Sequence, residues 1–132
     1  MKEFHLEVVT PDGLVYDDTV ESLTVRTDDG DVEFLAGHID YMASLSTGKA
    51  RIKAKGESRL ASVSGGFVTV IGGAVKLIAV TFEFAEDIDL ERARRAAEEA
   101  KDMLSKSDSG ASLNIAKAKL ARALSRIDVA ES

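Results

Sequence analysis

The segment Asp87-Ile88-Asp89-Leu90-Glu91-Arg92-Ala93 holds an acid and a base at the start of one helical pattern. Asp89 is a good N-cap: its side-chain oxygen can accept from the free backbone N–H groups near Glu91 or Arg92. Ile88 stands just outside it, where a hydrophobic staple sits. The cap leaves Arg92 unexplained. A cation in the first turn faces the positive end of the helix macrodipole, so Arg92 calls for an anionic partner. Farther along, Lys117, Lys119, Arg122 and Arg126 lie between Ser112 and Ile127 with no acid among them. Arg122 and Arg126 are four apart and share a helical face, where like charges cost a few tenths of a kcal/mol and favour an anion or carboxylate opposite. Charge pattern alone leaves two readings open: pairing across to Glu91, Glu98 or Glu99, or a bound anion.

The elements that must position these groups change character near residue 84. Nine of the ten glycines and the only proline lie at or before Gly73. They separate short segments of period two, the pattern of an all-β domain. Phe4, Leu6 and Val8 alternate before TPDG, Leu23 and Val25 before DDGD, and Ala50, Ile52 and Ala54 before KGE. Eight or more strands in such a short span predict two facing sheets or a flattened barrel, because a single sheet leaves one apolar face wet. Beyond residue 84, Leu90, Ala93, Ala97, Ala100 and Leu104 predict a helix over about 90–105. Gly110 in SKSDSGAS is a stop signal and Ser112 a fresh N-cap. Leu113, Ala116, Leu120, Ala123, Leu124 and Ile127 predict a second helix to about residue 129. The expected fold is α+β, with a β-sandwich over 1–84 and an antiparallel two-helix hairpin over 85–132. Facing alanines bury little area, so the hairpin is expected to be weakly held and mobile as a unit.

Composition excludes several functions. The 132 residues carry a net charge of −6 with 5% aromatics, a poor match to a nucleic-acid surface. With no cysteine, thiol catalysis, disulfides and Cys-based zinc sites drop out. No run of about 18 apolar residues and no signal-type N-terminus is visible, so a cytoplasmic location is expected. His5 and His38 lack the spacing of a helical metal pair and read as surface or packing residues. The glycine pairs at 65–66 and 72–73 interrupt strands and read as bulges and turns, not phosphate cradles. No serine sits in a nucleophile elbow. An enzyme is not expected.

Four stretches together carry a resemblance: LEVVTPDGLVYDD at 6–18, GDVEFLAGHIDYMASL at 30–45, VSGGFVTV at 63–70 and DIDLERARRA at 87–96. Their order and intervals resemble the epsilon subunit of the bacterial F-type ATP synthase, along the whole chain. One departure is that Leu35-Ala36-Gly37-His38-Ile39-Asp40-Tyr41 stands where the family has L-P-G-H-A-P-L. Both prolines are missing, which leaves the loop more unfolded-state freedom.

The resemblance implies a non-catalytic rotor subunit on the cytoplasmic side of the cell membrane. It would pack against the gamma subunit and the c-ring and help couple proton flow to ATP synthesis. By the same resemblance, the turn Asp28-Asp29-Gly30-Asp31 would approach the ring, and the segment around Gly37 and His38 would approach gamma. The pattern I-D-x-x-R-A, here Ile88, Asp89, Arg92 and Ala93, marks family members that bind ATP on the folded-down hairpin, with further contacts matching Glu83, Arg122 and Arg126. ATP would be a regulatory ligand, with no protein ligand set implying magnesium. An extended hairpin would reach the catalytic alpha and beta subunits and hinder hydrolysis. A second function with the same layout is a free-standing cytoplasmic adaptor or ATP sensor.

Overall fold

The computed structural model describes residues 2–107 and 110–132. Ten strands come first: β1 (Phe4–Thr10), β2 (Gly13–Val20), β3 (Ser22–Thr27), β4 (Gly30–Leu35), β5 (Tyr41–Ser44), β6 (Gly48–Ala54), β7 (Glu57–Ser64), β8 (Phe67–Ile71), β9 (Ala74–Ile78) and β10 (Thr81–Phe84). A single 3-10 turn over Ala85–Asp87 leads to α1 (Leu90–Lys106) and α2 (Gly110–Glu131). The strands form two five-stranded sheets, ordered β2-β1-β9-β8-β5 and β10-β7-β6-β3-β4. This is the expected sandwich followed by helices.

Period-two alternation puts one side of each sheet inside. Leu6, Val8, Val20, Leu23, Phe34, Ile52, Val68 and Leu77 are all buried in one cluster between the sheets. Full burial of side chains of this size stabilises by about 1.5–3 kcal/mol each. β1 pairs in parallel with β9, joining the start of the sandwich to its end. The glycine pairs do serve turns. Gly65 and Gly66 have φ of 67° and 91°. A Cβ on Gly66 would lie 1.8 Å from the Ile78 carbonyl oxygen, so only glycine fits there.

In α1 the buried residues are Ala93, Ala97 and Ala100, and in α2 they are Ala116, Ala123 and Val129. Two details of the sequence reading need correction. Ser112 lies inside α2, because the helix already begins at Gly110 and leaves no capping position at 112. Leu124 is exposed at 46%, while Val129 carries the buried contact near the C-terminus. The stop signal at SKSDSGAS falls partly on Asp108 and Ser109, outside the described residues.

Candidate functional site

α2 is the helix that lies on the β10-β7-β6-β3-β4 sheet, meeting it at β7 and β6, while α1 packs on α2. This stacking creates two adjoining clefts. The first, of about 250 Å³, is lined by Glu83 of β10, Glu99 and Met103 of α1, and Lys119, Arg122 and Arg126 of α2, among others. The second, of about 410 Å³, is lined by Arg92, Arg95, Ala96, Glu99 and Arg126. Together they gather five cations against two carboxylates on a chain that is acidic overall.

Each charged group reaches this place through its element. Glu83 lies on the edge strand β10 and pairs with Ser62 of β7 in the sheet register. Arg122 and Arg126, one turn apart, share the α2 face that turns toward it. The Arg126 Nε lies 2.7 Å from Glu83 Oε1, and Nη2 donates to Oε2 at 3.3 Å. The Nε–H is poorly aligned on Oε1 and remains a buried donor without a hydrogen bond. This pair joins the hairpin to the sandwich. Arg92, Arg95, Lys119 and Arg122 have no carboxylate within 4 Å among the described residues. The expected pairing across to Glu91, Glu98 or Glu99 is therefore not made by Arg122 or Arg126.

Asp89 caps α1 as its position implies: Oδ1 accepts from the Arg92 backbone N–H at 3.1 Å. Four of the seven residues expected to hold ATP thus converge on the clefts: Glu83, Arg92, Arg122 and Arg126. Ile88, Asp89 and Ala93 line neither cleft. Ala93 is fully buried. Arg95 escaped the sequence reading, although its spacing of three from Arg92 puts it on the same side of α1.

At the base of the hairpin, the Arg59 guanidinium sits 3.6 Å over the Phe84 ring and also pairs with Glu86. A hydrogen bond from its own backbone N–H, and then the bond from Arg59, hold the Glu86 carboxyl below its ordinary value. Partial burial pushes the nearby Tyr16 hydroxyl up.

The expected partner-contact residues lie at the other end of the sheet. Asp29, Gly30 and Asp31 form the exposed β3–β4 turn, with φ of 109° at Gly30. Thr27 Oγ1 fixes that turn, accepting from Asp29 N–H and donating to the Gly30 carbonyl. His38 stacks edge-on against Phe34 and Tyr41, and its Nδ1 lies 2.7 Å from the Ile39 carbonyl oxygen. Where the prolines are missing, Asp40 Oδ1 accepts from the Gly72 N–H at 2.9 Å and restrains the loop.

The fold and these sites can be set beside known proteins. Residues 3–85 match the family model of the ATP synthase delta/epsilon chain β-sandwich domain, and residues 86–131 match that of its long α-helix domain. The ATP synthase epsilon chain of Bacillus velezensis is 43% identical over 98% of both chains, and that of Bacillus subtilis is 42% identical over the same shares. A chain in the cryo-EM structure of the Euglena gracilis mitochondrial ATP synthase, OSCP/F1/c-ring, superposes with a TM-score of 0.84 at 26% identity. It covers 98% of this chain and 82% of that one. A chain of the Tetrahymena thermophila central stalk/c-ring shares the fold, with a TM-score of 0.70 at 15% identity over 98% and 97% of the two chains. Matches of this extent in both parts of the chain establish that it belongs to the ATP synthase delta/epsilon chain family.

Proposed function

We propose that the chain is a non-catalytic rotor subunit of an F-type ATP synthase whose helical hairpin binds ATP as a regulatory ligand. The observation that carries the ATP reading is the convergence of Arg92, Arg122 and Arg126 with Glu83 in the clefts between β10, α1 and α2. Guanidinium groups bind phosphate oxygens with paired, charge-assisted hydrogen bonds. Among the described residues no carboxylate lies within 4 Å of Arg92 or Arg122, and the buried Arg126 Nε has no hydrogen-bond acceptor, so a triphosphate supplies acceptors that these residues lack. Carboxylates suit the other end of the ligand. Glu83 is the acceptor inside the clefts, and Asp89, outside them at the start of α1 with Oδ1 used by the cap, reaches the adenine amino group through Oδ2 only if the ligand extends beyond the clefts past Arg92.

ATP held between the helices and β10 stabilises the compact hairpin by mass action. Depleted ATP releases it toward an extended form that reaches the alpha and beta subunits and hinders hydrolysis. Gamma and the c-ring are the partners of the sandwich, through His38 and its loop and through the Asp29-Gly30-Asp31 turn. Likeness to a chain of an F1/c-ring assembly supports this reading. No described helix is long and apolar enough to cross a membrane, which fits peripheral attachment on the cytoplasmic side through the complex.

Isothermal titration of the full chain with ATP tests the site. Arg92→Ala and Arg126→Ala should each weaken binding about tenfold or more, as expected for a charge-assisted contact worth about 1.5–3 kcal/mol. Asp89→Asn preserves a capping side chain while exchanging carboxylate for amide, and should weaken binding with helix content unchanged. No heat for the unaltered chain at millimolar ATP would leave Asp89 a cap and Arg126 a salt-bridge partner only.

A further inference from the structure

We propose that His5, Glu7 and Asp17 form a binding site for a divalent transition-metal ion, with zinc the best chemical match. Spacing along the chain marks His5 as a surface or packing residue, because it forms no helical metal pair with His38. Strand pairing supplies the ligands instead. In the β1–β2 register Glu7 lies opposite Asp17, and His5 lies opposite Thr19, one diagonal step from Asp17. His5 and Glu7 leave the same face of β1, opposite to the core face of Phe4, Leu6 and Val8. One ligand atom from each of the three groups lies within 4.8 Å of the other two, and His5 Nε2 is 2.6 Å from Asp17 Oδ1.

An imidazole nitrogen with two carboxylates is a borderline donor set, suited to zinc more than to calcium or magnesium, which favour oxygen ligands alone. Two carboxylates also balance the charge of a dication. The surroundings favour cations: residues 1–20 contain five acids and one lysine. Lys76 stands opposite Glu7 on β9, yet no carboxylate lies within 4 Å of its ammonium among the described residues. The Glu7 carboxylate therefore remains available. In a tetrahedral zinc shell with bonds of about 2.1 Å, ligand atoms stand roughly 3.4 Å apart, so the 2.6 Å separation of His5 Nε2 and Asp17 Oδ1 must widen by side-chain rotation on binding. On binding, the close contact between His5 Nε2 and Asp17 Oδ1 opens and both atoms turn to the ion. Water fills the remaining position, since the His5 and Asp17 side chains are 47% and 45% exposed. Because β2 is the edge strand of its sheet, an ion held here clips that edge to β1.

The test is a zinc titration of the chelator-treated full chain by calorimetry, paired with NMR of the histidine ring resonances. The expected result is one site, a selective shift of the His5 ring, and binding weakened about tenfold or more by His5→Ala and by Asp17→Asn. All three side chains lie on the outer face, so these variants should fold as the parent does, which their circular dichroism checks. Absence of binding at millimolar zinc, unchanged affinity in His5→Ala, or a shift of His38 in place of His5 would each overturn the proposal.

Discussion

The sandwich and the hairpin are held together by different means. The sandwich interlocks large side chains: Phe34, Leu6, Leu23, Ile52 and Leu77 are among its fully buried residues. The hairpin buries five alanines and one valine, and none of them joins the core cluster, which ends at Phe84. Polar contacts tie the two regions. Ser62 Oγ and Ser125 Oγ lie 2.8 Å apart, Glu83 pairs with Arg126, and Lys49 reaches Asp128 at 3.4 Å and the Ser132 hydroxyl at 3.2 Å. Water would replace each of these partners if the hairpin were to lift, whereas nothing in solvent replaces the packing around Phe34. Cohesion is therefore concentrated within the sandwich, and the junction is built from contacts that can be exchanged.

Phe34→Ala should show the largest effect. Removing a fully buried ring from a close-packed core costs about 3–5 kcal/mol, to be read in the denaturant midpoint of the β-sheet signal. A loss below about 1 kcal/mol would mean that packing around Phe34 holds the sandwich no more firmly than the polar contacts hold the hairpin. Arg126→Ala should be milder and differently placed. It removes one partly exposed ion pair at the junction, worth about 1 kcal/mol after screening by solvent. Hydrogen exchange of α2 amides should accelerate severalfold while β3 and β6 amides keep their protection; uniform acceleration across both regions would show that they unfold as one.

The smallest effect concerns Glu86. Its folded-state pKa is lowered, so its contribution to stability is present above the unfolded carboxylate value and is lost as pH falls through the lower, folded one. The side chain is half exposed, so the effect should be visible by NMR titration of the carboxyl carbon more than by melting. Arg59→Gln should raise the midpoint. An unchanged midpoint would leave the backbone hydrogen bond as the sole cause.

Much of this was legible in the residue pattern. Alternation at Phe4, Leu6 and Val8 and at Leu23 and Val25 marks strands because one face must stay dry. The cap at Asp89 is local chemistry that any chain would follow. The pairing of Arg126 with Glu83 was not legible from charge spacing, because those residues meet only after β10 and α2 are brought together across the sheet edge. The His5–Asp17 contact is hidden for the same reason: it depends on strand register, which spacing along one segment does not give. The role of Asp40 in the proline-free loop depends on the backbone of a distant turn at Gly72. Local rules reach elements and caps, and register and docking decide which side chains meet.

The short turn over Ala85–Asp87 has a thermodynamic consequence. It tethers α1 directly to the end of β10, although α2, farther along the chain, makes the contact with the sheet. Docking is thus an intramolecular event at an effective concentration in the millimolar range, as for binding modules on short linkers. Contacts too weak to hold a separate helical peptide suffice to hold a tethered one. Partly buried contacts such as Glu83–Arg126 and Ser62–Ser125 therefore hold the tethered hairpin more effectively than they would hold a free peptide.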